Sequence, residues 1–243
     1  MKTRKNLSIH LLSIALFIII GCGATDSSNE NNSQNSPDET GTVTDVEGNV
    51  YKTVKIGNQW WMAENLRTTR YRNGDSIPNV IDNADWVSLT TPAYCCYNND
   101  FNSYGNTFGL LYNWYTVDSA SNGNKNICPE GWHIPSNIEF LTLINNQGGL
   151  AEAGGKMKEA GTSHWDLPNI GATNTSGFTG LPAGFRSYVD GTFKYIGSFG
   201  HWWSSTQSDE IQAWNIGLYY LDSSVDNSPS VKKLGFSIRC IKD

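Results

Sequence analysis

Short runs of alternating apolar and polar residues make up the segment 43–66. Two Gly-Asn pairs interrupt these runs, at residues 48–49 and 57–58. A period of two is typical of strands with one buried face, and a Gly-Asn pair between two such runs favours a tight turn. The pattern therefore predicts short hairpin strands at the start of the folded domain.

The pattern of short strands returns after Phe178 and continues to the C-terminus. Alternate positions of the last segment are apolar, and the positions between them hold a glycine, a serine and an arginine. Because successive side chains of a strand point to opposite faces, one face is predicted to be buried. The residues of that face are Leu234, Phe236, Ile238 and Cys240.

The clearest helical pattern follows Pro135. Ser136 and Glu139 form a capping box, in which each side chain bonds the other residue's backbone N–H, and a glycine pair at 148–149 ends the pattern. Apolar residues at helical spacing are predicted to face the core. These residues are Ile138, Leu141 and Ile144.

Two further segments show weaker helical patterns. In the segment 107–117, Leu111, Trp114 and Tyr115 recur at helical spacing, and a shorter pattern runs from 150 to 160 before a glycine. We therefore predict an α+β fold, with two main helices against a twisted, mostly antiparallel sheet and long loops. No linker-like stretch interrupts residues 43–243, which indicates a single domain.

The N-terminal segment 1–21 has the composition of an export signal. Three basic residues precede an apolar stretch from 11 to 20, which is too short for a membrane-spanning helix of about 20 residues. Gly21 and Cys22 follow, as in lipoproteins that are cleaved before a lipidated cysteine. We predict a signal peptide, with Cys22 as a lipid anchor in the cell outer membrane and the domain on its periplasmic side or exposed at the surface.

Residues 22–42 are predicted to be a disordered linker after the lipidated cysteine. The stretch from Thr25 to Thr40 has no aliphatic or aromatic residue, so it buries too little surface to offset its ordering entropy. Cleavage removes three basic residues and no acidic residue, which changes the formal charge from −6 to −9. Such a charge argues against nucleic acid as a partner.

Four cysteines remain after Cys22, an even number in an oxidising compartment. Cys128 precedes the capped helix and Cys240 lies in the last strand, so we predict a disulfide that ties the C-terminus to the start of the helix. Cys95 and Cys96 are adjacent, and a bridge between neighbours is strained. Two buried thiols, or another pairing, are equally compatible with the sequence.

Candidate chemistry is sparse. His133, His164 and His201 each lie beside a tryptophan, and each is expected to pack against an aromatic ring. The sequence contains neither a zinc-protease motif, nor a serine-hydrolase motif, nor a phosphate-binding glycine loop. We therefore predict no metal site, cofactor or catalytic residue, and an enzyme with a site assembled from Asp166, His164 and Arg186 stays as an alternative.

Aromatic residues are the most unusual part of the composition, at 12% of the chain. Exposed aromatic rings can stack on the apolar C–H face of a sugar, whereas buried rings fill an irregular core. Both interpretations stay open from the sequence. The candidate ligand-binding aromatics are Trp202, Trp203, Trp214, Tyr219 and Tyr220.

Six long motifs occur in a fixed order and together resemble a known family. The chain is similar to the Fibrobacter succinogenes major paralogous domain, which is often found in lipoproteins, from about Val43 onward. The motifs are TVKIGNQWWMAENL (53–66), FGLLYNWYTV (108–117), CPEGWHIPSNIEFLTL (128–143), GFTGLPAGFR (177–186), HWWSST (201–206) and GFSIRC (235–240). The chain departs from the family pattern at Cys96, where an aromatic residue is expected.

The resemblance implies location and shape more than a reaction. It implies a distant C-type-lectin-like or formylglycine-generating-enzyme-like architecture, although neither the catalytic cysteine pair of those enzymes nor the EPN and WND motifs of calcium lectins are present. We expect a cell-envelope module that binds a glycan or an envelope protein. The alternatives are an envelope enzyme and a purely structural envelope component.

Overall fold

The computed structural model describes residues 39–243. The predicted signal peptide, the lipid-anchor residue Cys22 and nearly all of the predicted linker lie outside the described residues. The first strand begins at Thr40, so regular structure starts slightly before the predicted domain boundary at Val43.

The strands of the described region are short, and they occur mostly in its first and last thirds. They are Thr40–Thr44 (β1), Val50–Ile56 (β2), Gln59–Met62 (β3), Tyr94–Cys95 (β4), Leu111–Tyr112 (β5), Trp132–His133 (β6), Phe185–Arg186 (β7), Phe193–Lys194 (β8), Phe199–Gln207 (β9), Gln212–Tyr219 (β10), Val225–Val231 (β11) and Ile241–Lys242 (β12).

The helices lie between β3 and β7 and are also short. They are Asn83–Ser88 (α1), Asn106–Phe108 (α2), Ser119–Asn122 (α3), Asn137–Asn146 (α4) and Ala153–Met157 (α5), with 3₁₀ turns at Tyr97–Asn99 and Trp114–Thr116 and a π turn at Phe101–Gly105. Within residues 39–243, no helix is both long enough and apolar enough to cross a membrane.

The ladders between the strands of the described region are antiparallel, whereas some isolated bridges, such as that between Trp202 and Ser237, are parallel. A five-stranded sheet has the order β1-β2-β3-β12-β6, a three-stranded sheet has the order β11-β10-β9, and β4–β5 and β7–β8 form two small ladders. The predicted hairpin strands of the segment 43–66 are confirmed, because the turns between β1, β2 and β3 contain the two Gly-Asn pairs. The predicted α+β class is confirmed at this level.

The C-terminal segment 235–242 connects these sheets. Phe236 bridges to Tyr112 of β5, Ser237 bridges to Trp202 of β9, and β12 pairs with both β3 and β6. As predicted, the alternate residues Leu234, Phe236, Ile238 and Cys240 lie in one hydrophobic cluster. The segment is buried on both faces, however, because Arg239 is also fully buried.

Two principal hydrophobic cores lie on either side of the connected sheets. The first contains Tyr112, Trp203, Phe236 and the Cys128–Cys240 pair, and the second contains Trp61, Phe140 and Trp202. Trp202 and Trp203 are adjacent in β9, and the alternation of side chains along the strand sends them to different cores. Aromatic rings therefore fill both interiors, as the core interpretation of the composition anticipated.

Helix α4 confirms the predicted capping box and the predicted burial of Ile144, but not the rest of the predicted face. Ser136 accepts a hydrogen bond from the Glu139 backbone N–H, and the Glu139 carboxylate accepts one from the Ser136 backbone N–H. The prediction that Ile138 faces the core is wrong, since its side chain is 76% exposed. The buried residues are Phe140, Leu143 and Ile144, because the ring of Phe140 packs on Trp61 at 5.2 Å between centroids.

The other helix predictions are wrong in length or type. The segment 107–117 turns at Gly109, whose φ is 75°, and continues as β5 and a 3₁₀ turn. A β-carbon at Gly109 would lie 2.8 Å from the Leu66 carbonyl oxygen, so this close approach requires glycine. The predicted helix at 150–160 is reduced to α5. Only α4 among the described helices exceeds six residues, so the prediction of two main helices is wrong.

Candidate functional site

The predicted disulfide between Cys128 and Cys240 is present. Cys95 and Cys96 are free and buried, so the interpretation as two buried thiols is the one that the structure supports. Burial raises the pKa of Cys95 to about 12 and that of Cys96 to about 11. Both sulfurs are therefore protonated at neutral pH and unsuited to act as nucleophiles.

The prediction that Trp202 and Trp203 bind a ligand is wrong. Trp202 and Trp203 have no exposed surface, because each fills one of the two cores, so neither can contact a ligand at the surface. Trp214 is half-buried and pairs with Pro229 of β11. Tyr219 and Tyr220 are also half-buried at the end of β10, and Tyr219 lines a cavity.

This cavity lies on the three-stranded sheet, on the side opposite Trp202, and has a volume of about 200 Å³. It is smaller than the roughly 300–1,000 Å³ of pockets for drug-sized ligands, which suits a group of one ring. We call it the β9–β11 cavity. The lining residues that matter here are Phe199, His201, Gly217, Tyr219, Asp222 and Asp226.

The pairing of β9, β10 and β11 determines which residues lie side by side at the β9–β11 cavity. His201 of β9 pairs with Gly217 of β10, and Gly217 pairs with Asp226 of β11, so the three residues form one row across the sheet. A β-carbon at Gly217 would lie 2.9 Å from His201 Cε1 and 3.5 Å from Asp226 Cβ. The missing side chain at position 217 therefore lets the imidazole lie close against the backbone of β10.

The aromatic rings of the cavity hold each other in place. Phe199 stacks on Tyr219 with 4.5 Å between ring centroids and an interplanar angle of 18°. The His201 ring stacks on Phe236 at 4.6 Å and lies nearly parallel to Phe199 at 5.8 Å. Rings that already pack together lose little side-chain entropy when a ligand binds, so the aromatic wall is preorganised.

His201 is a neutral polar group in this wall. Burial lowers the pKa of its imidazole below the ordinary value of 6.5, so the ring is uncharged at pH 7. Nδ1 lies 3.3 Å from Asn215 Oδ1, and donation from Nδ1 to this oxygen leaves Nε2 as an acceptor. The pKa of Tyr219 is raised by partial burial and by Tyr220 and Asp222, so its hydroxyl keeps its proton.

Two carboxylates stand at the edge of the cavity. Asp222 Oδ1 accepts hydrogen bonds from the backbone N–H and hydroxyl of Ser224, and Asp226 Oδ2 accepts one from the Ser228 hydroxyl. Each carboxylate thus keeps one oxygen without a partner among the described residues. Neither forms an ion pair within the described part of the chain.

A buried lysine holds the turn that carries Asp222. The ammonium of Lys158 donates to the carbonyl oxygens of Ile170, Tyr219 and Asp222 at 2.9, 2.9 and 2.7 Å. Burial lowers the pKa of Lys158 to about 8. All three donors of the charged side chain are used by backbone oxygens, so this lysine fixes the shape of the cavity edge.

The three residues of the enzymatic alternative each make a separate structural contact. Arg186 is fully buried and donates to the carbonyl oxygens of Ile81 and Asp82, His164 binds the Glu159 carboxylate at 2.9 Å, and Asp166 accepts from the Ser198 hydroxyl. Each is occupied by a different structural contact. The constellation proposed from sequence is therefore wrong.

The remaining histidine also makes structural contacts. His133 lies between two carboxylates, with Nδ1 at 2.6 Å from Asp243 and Nε2 at 2.9 Å from Glu139. The expectation that every histidine packs on an aromatic ring holds for His201 and for His164, which contacts Phe108, and no aromatic contact is found for His133 within residues 39–243. Among these residues, no three His, Cys, Asp or Glu side chains are grouped to hold a metal ion.

Among the lining residues of the β9–β11 cavity, only Tyr219 is one of the predicted ligand-binding residues. Phe199 and His201 are two positions apart in β9, as are Gly217 and Tyr219 in β10, so each pair shares a face. That spacing was visible in the sequence. The position of Asp226 was not, because it depends on the register between β10 and β11.

A second cavity of about 200 Å³ lies beside the β4–β5 ladder. Its walls include Ile81, Tyr94, Phe101 and Leu110, together with Cys96. The Cys96 sulfur lies 3.3 Å from the Asp100 carbonyl oxygen. The lining is mainly apolar and has no charged side chain, so the β9–β11 cavity is the better candidate for recognition of a polar ligand.

The fold and the cavity define an α+β domain with a small aromatic and acidic cavity on an antiparallel sheet. The model of the Fibrobacter succinogenes major domain matches residues 54–242, and the chain belongs to this family. The match confirms the resemblance that the six motifs indicate. Searches of curated proteins and of solved structures found no significant match.

Proposed function

We propose that the protein is a bacterial lipoprotein, anchored in the cell outer membrane through Cys22, whose family domain binds glycan in the cell envelope. The β9–β11 cavity carries the glycan part of this proposal. It combines preorganised aromatic rings with hydrogen-bonding groups that have free capacity, namely the Tyr219 hydroxyl, His201 Nε2 and one oxygen each of Asp222 and Asp226.

A sugar ring matches this combination of groups. Its C–H faces are apolar and suit aromatic contacts, while its hydroxyls both donate and accept hydrogen bonds. Carboxylate oxygens accept from hydroxyls, and charge-assisted bonds of this kind are stronger than neutral ones. Gly217 lets the imidazole of His201 lie close against the sheet, beside Asp226.

The proposed location rests on the N-terminal sequence. Basic residues, a short apolar stretch and Gly21-Cys22 form the lipoprotein pattern, and the Cys128–Cys240 disulfide is compatible with an oxidising compartment. The proposed architecture is C-type-lectin-like. In its support, α4 begins beside the paired strands β6 and β12, and the disulfide joins the segment before α4 to the last strand segment.

A glycan array with the purified protein tests the binding proposal. We expect retention on a defined set of glycans, loss of retention in Tyr219→Ala, and normal retention in Tyr188→Ala, which changes an exposed tyrosine outside the cavity. Circular dichroism of both variants shows whether the fold is kept. Absence of retention on every glycan, or equal retention in Tyr219→Ala, contradicts the proposal.

Anchoring is tested separately by labelling cells with a radioactive fatty acid. We expect label on the wild-type protein in the outer-membrane fraction and no label on Cys22→Ser. Cys95→Ser serves as the control, because this thiol is buried in the folded domain. Label that persists in Cys22→Ser contradicts the anchor.

A further inference from the structure

The charge around the β9–β11 cavity narrows the class of glycan. Asp222 and Asp226 each keep a carboxylate oxygen free of hydrogen bonds from described residues, and no described cation lies within ion-pair distance of either. His201 does not offset their charge, since burial keeps its imidazole neutral at pH 7. The cavity edge therefore carries exposed negative charge beside aromatic rings.

Lys158 contacts the same turn, but it does not neutralise the carboxylates directly. Its ammonium is buried and bonds the backbone oxygens of Tyr219 and Asp222 rather than a side chain. Two carboxylates against one buried ammonium leave the surroundings of the cavity net negative. Asp226 lies in one row with His201 and Gly217 across the sheet. Unlike Asp222, it accepts no hydrogen bond from Lys158 at its backbone oxygen.

We infer that the cavity binds a sugar with a protonated amino group, a de-N-acetylated amino sugar, in preference to a neutral or acidic sugar. The inference rests on the proposed glycan function and specifies its ligand class. A protonated amine supplies the cation that the two carboxylates lack, and aromatic rings tolerate an adjacent ammonium through cation–π attraction. A uronic acid would place a like charge against Asp226 and is disfavoured.

The experiment compares two ligands that differ only at nitrogen with a third that carries carboxylates. Binding of the purified full chain in detergent is measured by calorimetry with a β-1,4-linked glucosamine oligomer, its N-acetylated counterpart and an oligogalacturonate, below the pKa of the sugar amine. We expect the glucosamine oligomer to bind about tenfold more tightly than the N-acetylated one, as for one added charge-assisted hydrogen bond. The affinity should fall with added salt, because the carboxylates are exposed.

Two variants test whether the carboxylate of Asp226 causes the preference for the glucosamine oligomer. Asp226→Asn keeps the shape of the side chain and removes its charge, and we expect it to lose the tenfold preference. Asp85→Asn removes the same charge from α1, away from the cavity, and should keep the preference. A preference that survives in Asp226→Asn, or that disappears equally in Asp85→Asn, overturns the inference.

The outcomes separate the inference from the function on which it rests. If both oligomers bind equally and binding needs Tyr219, the amine preference is wrong and the glycan function stands. If neither oligomer binds while other glycans on the array do, the inference alone is again overturned. If a lysine-rich peptide binds with Asp226 dependence and no sugar does, the ligand is a peptide amine, and both the inference and the glycan function are wrong.

Discussion

Gly217 lies directly opposite His201 across β9 and β10, and a β-carbon at position 217 would approach His201 Cε1 to 2.9 Å. The imidazole cannot move away easily, because it stacks on Phe236 at 4.6 Å. The absence of a side chain at this one position thus lets the imidazole lie against the backbone of β10.

We predict that Gly217→Ala displaces His201 and narrows the cavity. Glycan retention should fall, and the free energy of unfolding should decrease by about 1–3 kcal/mol, as for other overpacked sites. Urea denaturation and the glycan array measure the two effects. Gly41→Ala also adds a methyl group to a strand glycine, but it lies on the edge strand β1 and should leave glycan retention unchanged. Unchanged retention in Gly217→Ala would falsify the assignment of the cavity.

Local signals predicted those parts of the fold that are decided within a few residues. The capping box of α4 and the Gly-Asn hairpin turns depend on neighbours in the chain, and both were predicted correctly. The helix at 107–117 failed because a distant partner decides the conformation. Tyr112 exchanges backbone hydrogen bonds with Phe236, and this pairing replaces the helical bonds that local spacing suggested.

In the candidate site, too, some features depend on neighbours in the chain and others depend on distant strands. The alternation along β9 and β10 was available from the sequence, yet it did not show which face is solvated. Trp202 and Trp203 both proved buried because the middle of β9 lies between two cores. The row from His201 to Asp226 depends on the register of three strands, and a shift of one residue would move Asp226 to the opposite face.

The Cys128–Cys240 disulfide closes a separation of 112 residues, which makes it a strong constraint on the unfolded chain. We predict that Cys128→Ser with Cys240→Ser lowers the free energy of unfolding by about 2–5 kcal/mol. Urea denaturation measures the change. Cys95→Ser should have a smaller effect, because it removes no covalent link.

Thiol titration checks the assignment of the four domain cysteines independently. In a Cys22→Ser background, the native protein should react slowly, because Cys95 and Cys96 are buried. The same protein in denaturant without reductant should expose two thiols. Four reactive thiols under these conditions would show that the disulfide is not formed.

Lys158 supports the cavity edge through three carbonyl oxygens, and its role can be separated from surface charge. Lys158→Met leaves those buried oxygens without donors, so we predict a loss of about 2–4 kcal/mol in the free energy of unfolding together with weaker glycan retention. Lys156→Met is the matched control. The Lys156 side chain is 41% exposed, lies 3.8 Å from the Glu152 carboxylate and donates to one carbonyl oxygen, that of Gln147, so its loss should cost less than the loss of three bonds from the buried Lys158. Equal stability of the two variants would rule out the supporting role of Lys158.

His133 links α4 to the C-terminal residue and makes part of the stability depend on pH. Burial of the ring opposes its protonation, but the hydrogen bonds and charges of Asp243 and Glu139 outweigh burial and raise the pKa of His133 above 6.5. A raised pKa means that the folded state binds the proton more tightly than the unfolded state. The stabilisation is therefore complete below pH 6.5 and is lost as the pH rises through the pKa of the folded protein.

We predict that urea midpoints of the wild type decrease from about pH 6 to pH 8 relative to those of His133→Gln. His201 contributes with the opposite sign, because burial lowers its pKa and protonation below pH 6.5 destabilises the folded state. That contribution is common to both proteins and cancels in the difference between them. Asp243→Asn removes one of the two carboxylate charges and should reduce the difference without abolishing it, since Glu139 remains in contact with Nε2. A difference that does not vary with pH would mean that the contacts of His133 with Asp243 and Glu139 do not stabilise its charged form.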